Sequence, residues 1–564
     1  MQRSSQSDAV SSANVSQIRR AIARARYRRT GSALIALSVA LPFTGCTMVG
    51  PDFVEPKAPI ADKYVPVDNG DKAIREEPET QQPRPDLIEW WRVFNDPVLN
   101  QLIETAYRQN LSLVSAGTRV LAARAELGIA TGDLFPQQQQ LVGALTNNRL
   151  SKADVVTTPF QTGDFWRASV GAQLAWELDF WGKFRRGIES ADAAYLASIA
   201  NYDDVLVTLL SDVASTYIGI RTVEKQIELA NANIVRQKKA LSIAQDRFKD
   251  GATTRLDVYQ AQNVLGSTLA TVPQLRIQRE EGIDVLRVLL GMAPQSLDSI
   301  LTKTAGIPLA PNSVNVGMPG DLLRRRPDIR NAEMLAAAQS AQIGVAKADL
   351  FPAFSLVGNI GFVSTNTGSA NLADIFTHKA LAFSFGPTFQ WNILNYGQIT
   401  NNVRVQDARL QSLMADYQNT VLKAQQEVQD GIASYVLSRE QAAYLRDSVT
   451  AASGALTLAF TQYQEGLSDF TTVLTAEQAL LQAENNLAVA TGATSTGLVR
   501  VYRALGGGWQ IRAGKDFVPP DVTDQMRERT NWGDLLSVSV KAPAGVPQPL
   551  PVEKSSIYVP SPDW

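Results

Sequence analysis

The sequence predicts an α+β membrane protein with an internal two-fold repeat, each repeat running strand, strand, long helix, turn, helix. Three observations carry that prediction. The first is a duplication: shifted by 215 positions without a gap, Trp176 falls on Trp391, Gly182 on Gly397, Asp192 on Asp407, Ala244 on Ala459, Phe248 on Tyr463, Gly251 on Gly466 and Val258 on Val473. At an offset of 216, Gly128 falls on Gly344 and Leu134-Phe135-Pro136 on Leu350-Phe351-Pro352. Half-chain duplications build pseudo-symmetric objects, which among membrane proteins are commonly rings and tubes. The second observation is strict apolar/polar alternation over long strands, and the third is an apolar residue at every seventh position of two very long helices.

Composition bounds what such a chain does. With 564 residues, 45% of them apolar and 19% charged, it is long enough for several domains and is not disordered. A net charge of -2 gives no reason to expect nucleic acid as a partner. The single Cys and single His exclude a disulfide framework or a His/Cys zinc site within one chain, and no cofactor is expected. No window of the mature chain offers about 20 unbroken apolar residues, so no transmembrane helix is expected.

Residues 1–45 read as a cleaved signal peptide, with arginines at 19, 20, 24, 26, 28 and 29 before an apolar run, Ala33 to Phe43, too short to span a bilayer. Phe43-Thr44-Gly45-Cys46 resembles a bacterial lipobox, cut between Gly45 and Cys46 and then acylated on Cys46. Each buried methylene of an acyl chain contributes about 0.8 kcal/mol, so several chains anchor a protein firmly. Segment 46–95, with prolines at 51, 56, 59, 66, 78, 83 and 85, should run extended over another element. Repeat one then occupies 96–310, repeat two 320–506, and a second proline-rich tail 507–564.

Strands are expected at 137–150 and 165–180 and, in the second repeat, at 353–364 and 380–394. The alternation is sharpest where Trp166, Ala168, Val170, Ala172, Leu174, Trp176, Leu178 and Phe180 share one face, and where Leu381, Phe383, Phe385, Pro387, Phe389, Trp391 and Ile393 share another. Fifteen residues reach roughly 50 Å, enough to cross a bilayer at a tilt. Four strands cannot close a barrel, so closure demands more than one chain.

Long helices are expected at 183–248 and 398–463, with return helices at 254–291 and 470–505. Ile199, Leu206, Val213, Ile220, Ile227, Ile234, Leu241 and Phe248 stand seven apart, as do Met414, Val421, Val428, Tyr435, Ala442, Val449, Leu456 and Tyr463. A heptad sustained this long specifies a left-handed coiled coil, here about 100 Å in length. Gly251 and Gly466 fit the positive φ of a helix C-terminal turn, making each repeat a strand pair at one end and a helical hairpin tip at the other.

Several motifs together resemble one family. Cys46-Thr47-Met48-Val49-Gly50-Pro51-Asp52-Phe53 looks like the mature start of lipidated outer-membrane efflux proteins. Arg325-Arg326-Pro327-Asp328 with Ala332-Glu333, Ile343-Gly344 and Phe351-Pro352 resembles the opening of their second repeat. Asp179-Phe180-Trp181-Gly182-Lys183 matches their strand-to-helix junction, and Arg247-Phe248, Gly251 and Leu256-Asp257-Val258 their first hairpin tip. The chain from 46 to about 506 is similar to TolC-type outer-membrane factors, in particular NodT-like efflux lipoproteins.

That resemblance implies a homotrimer whose twelve strands form one barrel in the outer membrane of a Gram-negative bacterium. The barrel would continue into a periplasmic α-helical coiled-coil barrel, with the proline-rich ends as an equatorial belt. The implied function is the exit duct of a tripartite efflux system for small toxic compounds or drugs, not an enzyme. Its implied partners are outer-membrane lipid, a periplasmic adaptor and a proton-driven inner-membrane pump. A duct for type I protein secretion and a non-conducting structural lipoprotein are the alternatives. By family analogy Tyr463, Asp469 and Phe248 are gate candidates at the periplasmic end. Gly251, Thr254, Leu256, Gly466, Ser468 and Phe470 are adaptor-contact candidates, because exposed small residues let a partner helix approach. His378 reads as incidental, and Arg325, Arg326 and Asp328 around Pro327 as the bracing of a helix start.

Overall fold

The duplication sets the order of elements. The computed structural model describes residues 48–67, 74–75, 85–149, 164–301 and 306–536. The expected signal peptide, the Gly45/Cys46 processing site and the tail past residue 536 lie outside the described residues. The chain divides into two units.

The first unit takes in Asp133–Gly187 and Ile343–Val403 together with the described residues up to Pro51. Its strands β1 (Gln138–Arg149), β2 (Asp164–Leu178), β3 (Ala353–Thr365) and β4 (Leu381–Gln390) form one antiparallel sheet in that order. The last strand of repeat one pairs with the first strand of repeat two, from Arg167 opposite Thr365 to Leu178 opposite Phe354. Strands β1 and β4 are left as edges. On β4, Phe383, Phe385 and Phe389 are 73%, 71% and 72% exposed. Such a row on an unpaired edge is an aggregation hazard in water but suits lipid. His378 lies in the connection from β3 to β4.

The expected strand 380–394 ends sooner, at Gln390, because its partner Ala353 is the first residue of β3 and no ladder position lies beyond it; just past that end Trp391 donates its indole N–H to the Leu350 carbonyl (3.1 Å). Trp176 donates in the same way to Leu134 (3.1 Å). Equivalent residues of the two repeats thus make the same bond. At the strand-to-helix junction the Asp179 carboxylate accepts from the Phe184 and Arg185 N–H groups (3.1 Å each), capping the helix that follows.

The helices repeat pairwise as well. After α1 (Pro97–Gln109) come α2 (Leu111–Gly132), α3 (Lys183–Lys249) and α4 (Arg255–Leu289). The second repeat supplies α5 (Pro327–Ala348), α6 (Gln398–Gln464) and α7 (Phe470–Ala504). Helices α2 and α5 have 22 residues each, α3 and α6 67 each, and α4 and α7 35 each. Equal lengths are what a duplication produces when its one-residue slip, from an offset of 216 to one of 215, falls between the helices.

The second unit takes in Asp52–Gly132, Ile188–Gln342 and residues from Arg404 onward. Its main core gathers the heptad residues Leu206, Val213, Val421, Val428 and Tyr435 around Trp90, whose ring stacks on Tyr502 at 5.4 Å. The extended segment before Val67 is held by glutamines of α6. Gln429 brackets the N–H and C=O of Val65 (3.0 and 2.9 Å), and Gln425 bonds the Ala61 N–H and the Pro59 C=O (2.9 Å each). Those amides satisfy a backbone that prolines bar from a sheet. Arg326, buried, grips Asp328 at the start of α5, Glu427 of α6 (2.7 Å) and the Ala504 carbonyl that ends α7 (2.8 Å).

Candidate functional site at the hairpin tips

Both long helices end in the same way. The Gly251 N–H donates to the Phe248 carbonyl (3.1 Å) and the Ala252 N–H to Arg247 (2.8 Å); the Gly466 N–H donates to Tyr463 (3.1 Å) and the Leu467 N–H to Gln462 (2.8 Å). This double closure needs a left-handed residue, and Gly251 and Gly466 supply it with φ of 71° and 77°. The return helices start differently. Asp469 caps α7, accepting from the N–H (2.9 Å) and hydroxyl (2.7 Å) of Thr472, and these bonds hold its carboxyl below the usual range. At the other tip Thr254 makes no side-chain cap, and the Thr253 hydroxyl instead donates to Asp257.

The two tips share a small core of their own. Ala240 and Ala244 of α3, Val258 and Ala261 of α4, Leu456 and Ala459 of α6, and Val473 and Leu480 of α7 are all buried in it. Tyr463 is 2% exposed, its ring 5.1 Å from that of Phe470. Arg247 crosses from α3, lays its guanidinium 4.7 Å over the Tyr463 ring and donates to the carbonyls of Tyr463 and Gln464 (3.1 Å to the latter). The Tyr463 hydroxyl donates to the Asp257 carboxylate of α4 at 3.2 Å. Burial, then the Asp257 charge, raises the phenol above its ordinary value, so it stays a donor at neutral pH.

The sequence-predicted residues are therefore together but not equivalent. Tyr463 is locked in the tip core, Phe248 is 39% exposed with the Arg255 guanidinium 5.8 Å over its ring, and Asp469 is an exposed cap. Gly251, Thr254, Leu256 and Gly466 are exposed and Ser468 half-buried. Phe470, expected on the contact surface, is instead 2% exposed, because the first turn of α7 faces Tyr463. Leu256, Tyr259 and Leu467 give the tips an apolar rim. Arg247 and Asp257, which make the clasp, were visible only as parts of tip motifs. Among the described residues no group of three or more His, Cys, Asp or Glu is placed to hold a metal.

The sequence model of the outer membrane efflux protein family matches residues 102–292 and 318–507, one match on each repeat. Nodulation protein T of Rhizobium leguminosarum bv. viciae is 30% identical over 481 residues, 84% of this chain and 93% of that protein. The toluene efflux pump outer membrane protein TtgF of Pseudomonas putida is 30% identical over 475 residues, 84% of this chain and 96% of that one. Among solved structures, the outer-membrane channel OprN matches with a TM-score of 0.74 and 32% identity, covering 82% of this chain and 99% of its own.

Proposed function

The chain belongs to the outer membrane efflux protein family, and from that premise we propose that three copies close one barrel and that the hairpin tips are its gate. As a member of a family of efflux channels, the protein is an outer-membrane channel of an efflux system. The observation that carries the trimer is the open four-stranded sheet with two free edges and an exposed aromatic row. Two copies would give eight strands, a barrel just wide enough for its own side chains to fill. Three give twelve and leave a bore.

In this reading Cys46 is the acylated anchor and the helices continue the bore into the periplasm. Arg247 and Asp257 hold Tyr463, and with it the end of α6, against the first hairpin, so breaking that clasp frees the second tip. The rim of Leu256, Tyr259 and Leu467, with Gly251, Thr254, Gly466 and Ser468 between, receives a periplasmic adaptor joined to a proton-driven inner-membrane pump. Cysteines at Thr254 or Ser468 should crosslink to that adaptor, and no contact at either would remove the docking assignment.

The cargo is a class of small toxic compounds, and the relative named for toluene efflux puts apolar solvents first in the trial. A strain lacking the gene should lose tolerance to a subset of solvents, dyes, detergents, antibiotics or metal ions and regain it with the wild-type gene. Unchanged tolerance together with an altered set of secreted proteins would instead mark a protein-secretion duct.

A further inference from the structure

We infer that Glu477 is a positioning residue of the gate: neutral, it lets the hairpin tips pack, and ionised, it drives them apart. The inference rests on reading the tips as the gate.

Glu477 lies on α7 two turns from its start, between Leu474 and Leu480, both buried in the tip core. It is itself 2% exposed, and neither carboxyl oxygen has a hydrogen-bond partner among the described residues. A carboxylate in that position would be a desolvated, unanswered charge, so the packed tip selects the neutral acid. The protomer's own packing already covers both oxygens, which keeps a neighbouring copy from reaching them.

Its surroundings are short of charge on every side. The Asn233 and Arg236 side chains of α3 meet Glu484 of α7 (3.1 and 2.8 Å), which sets the antiparallel register of the two helices. One heptad nearer the tip, Glu477 comes opposite the buried Ala240 and Ala244. The apolar tip core to which Leu474 and Leu480 belong takes Val258, Ala261 and Val264 from α4 and Val449, Ala452, Leu456 and Ala459 from α6. Tyr463, Asp257 and Arg247 are occupied with one another in the clasp. Among the described residues the cation acting on Glu477 is Arg236, whose charge is engaged by Glu484 and whose Nε is also buried without a partner. The two arrangements are thus a neutral Glu477 beside an Arg236–Glu484 pair, and an ionised Glu477 competing for Arg236 or for water.

The sign follows from burial. An exposed glutamate titrates near 4.5, and here desolvation raises the group to about 7 against a smaller lowering by Arg236. Below the first value both arrangements hold the proton and the packed tip keeps its full stability. Between that value and about 7 the open arrangement sheds the proton that the packed one keeps, so the stability falls progressively and is gone above about 7, the balance having moved toward the open tip by on the order of a hundredfold.

The test is planar-bilayer conductance of the full-length channel between pH 5 and 8.5, for wild type, Glu477→Gln and Glu477→Leu. Wild type should gain open probability with a midpoint near 7, whereas both variants should stay at the low, acid-side level at every pH; Glu477→Leu covers the case in which Gln does not assemble. Infrared difference spectra give a second readout, a protonated-carboxyl band lost above pH 7 in wild type and missing from the variants. A conducting wild type whose pH dependence survives in both variants would overturn the assignment to Glu477 alone. Conductance at no pH, in wild type or in Arg247→Ala, would overturn the gate reading and this inference with it.

Discussion

Arg247 shows how one side chain finishes what two backbones leave undone. The last carbonyls of α6 have no helical partner, and a cation at a helix C-terminus is favoured both by those carbonyls and by the helix dipole. Arg247 brings that cation from the other hairpin. Replacing it by Ala removes two charge-assisted hydrogen bonds, one of them exposed, and a cation–π contact, together about 1–3 kcal/mol. Open-tip occupancy should rise roughly tenfold to a hundredfold, seen as higher resting conductance with unchanged assembly; an unaltered closed level would show that the clasp does not hold the gate. The heptad put Tyr463 on the buried stripe, and there the structure has it. It put Phe248 on the same stripe, yet the ring is partly exposed, because the stripe ends with the helix and Arg255 offers it a cationic face instead. Arg247 and Asp257 were not legible as a pair, since a long polar side chain finds its partner by three-dimensional reach, which no sequence period encodes.

Among the elements, the periodic ones were the most readable. The heptads run from Ile199 to Phe248 and from Met414 to Tyr463, and with the glycine junctions before them the expected helices, 183–248 and 398–463, stand against observed ones of 183–249 and 398–464. Strand β1 alternates weakly because nearly all of its residues are exposed in the protomer, so neither face is held to an apolar pattern. What no pattern announced is the way Met48-Val49-Gly50 seats on the sheet unit. The Val49 N–H donates to the Trp181 carbonyl (3.0 Å), and Arg186 donates back to the Val49 carbonyl (3.2 Å). A Cβ on Gly344 would stand 2.7 Å from the Val49 oxygen, and one on Gly50 2.4 Å from the Gly344 Cα. Gly344→Ala should therefore expel the Met48-Val49-Gly50 segment, at a cost of about 1–3 kcal/mol. Limited proteolysis should then cut near residue 50 in the variant and not in wild type; equal protection would mean the backbone closes over a methyl without strain.

At the scale of the whole molecule, duplication explains the economy of the design. One strand pair and one helical hairpin, used twice, give four strands and two tips, and only association completes the barrel. Exposed Leu437, Tyr444 and Leu458 on α6, spaced by sevens or a multiple of seven, continue the same logic along the helices, since an apolar stripe left open in one copy is the seam for another. The fold class was legible because membrane β-barrels and coiled coils are both written as strict periods. The cargo was not, because a bore lined for passage carries no binding pattern of its own. The central claim is that the assembled chain conducts through a bore closed at the hairpin tips. Single-channel recording of the purified full-length protein in planar bilayers, with Arg247→Ala as the unclasped form, tests it most directly. The account predicts discrete conductance steps, rare in wild type and frequent in the variant. A stably inserted protein that yields no steps in either form would contradict it.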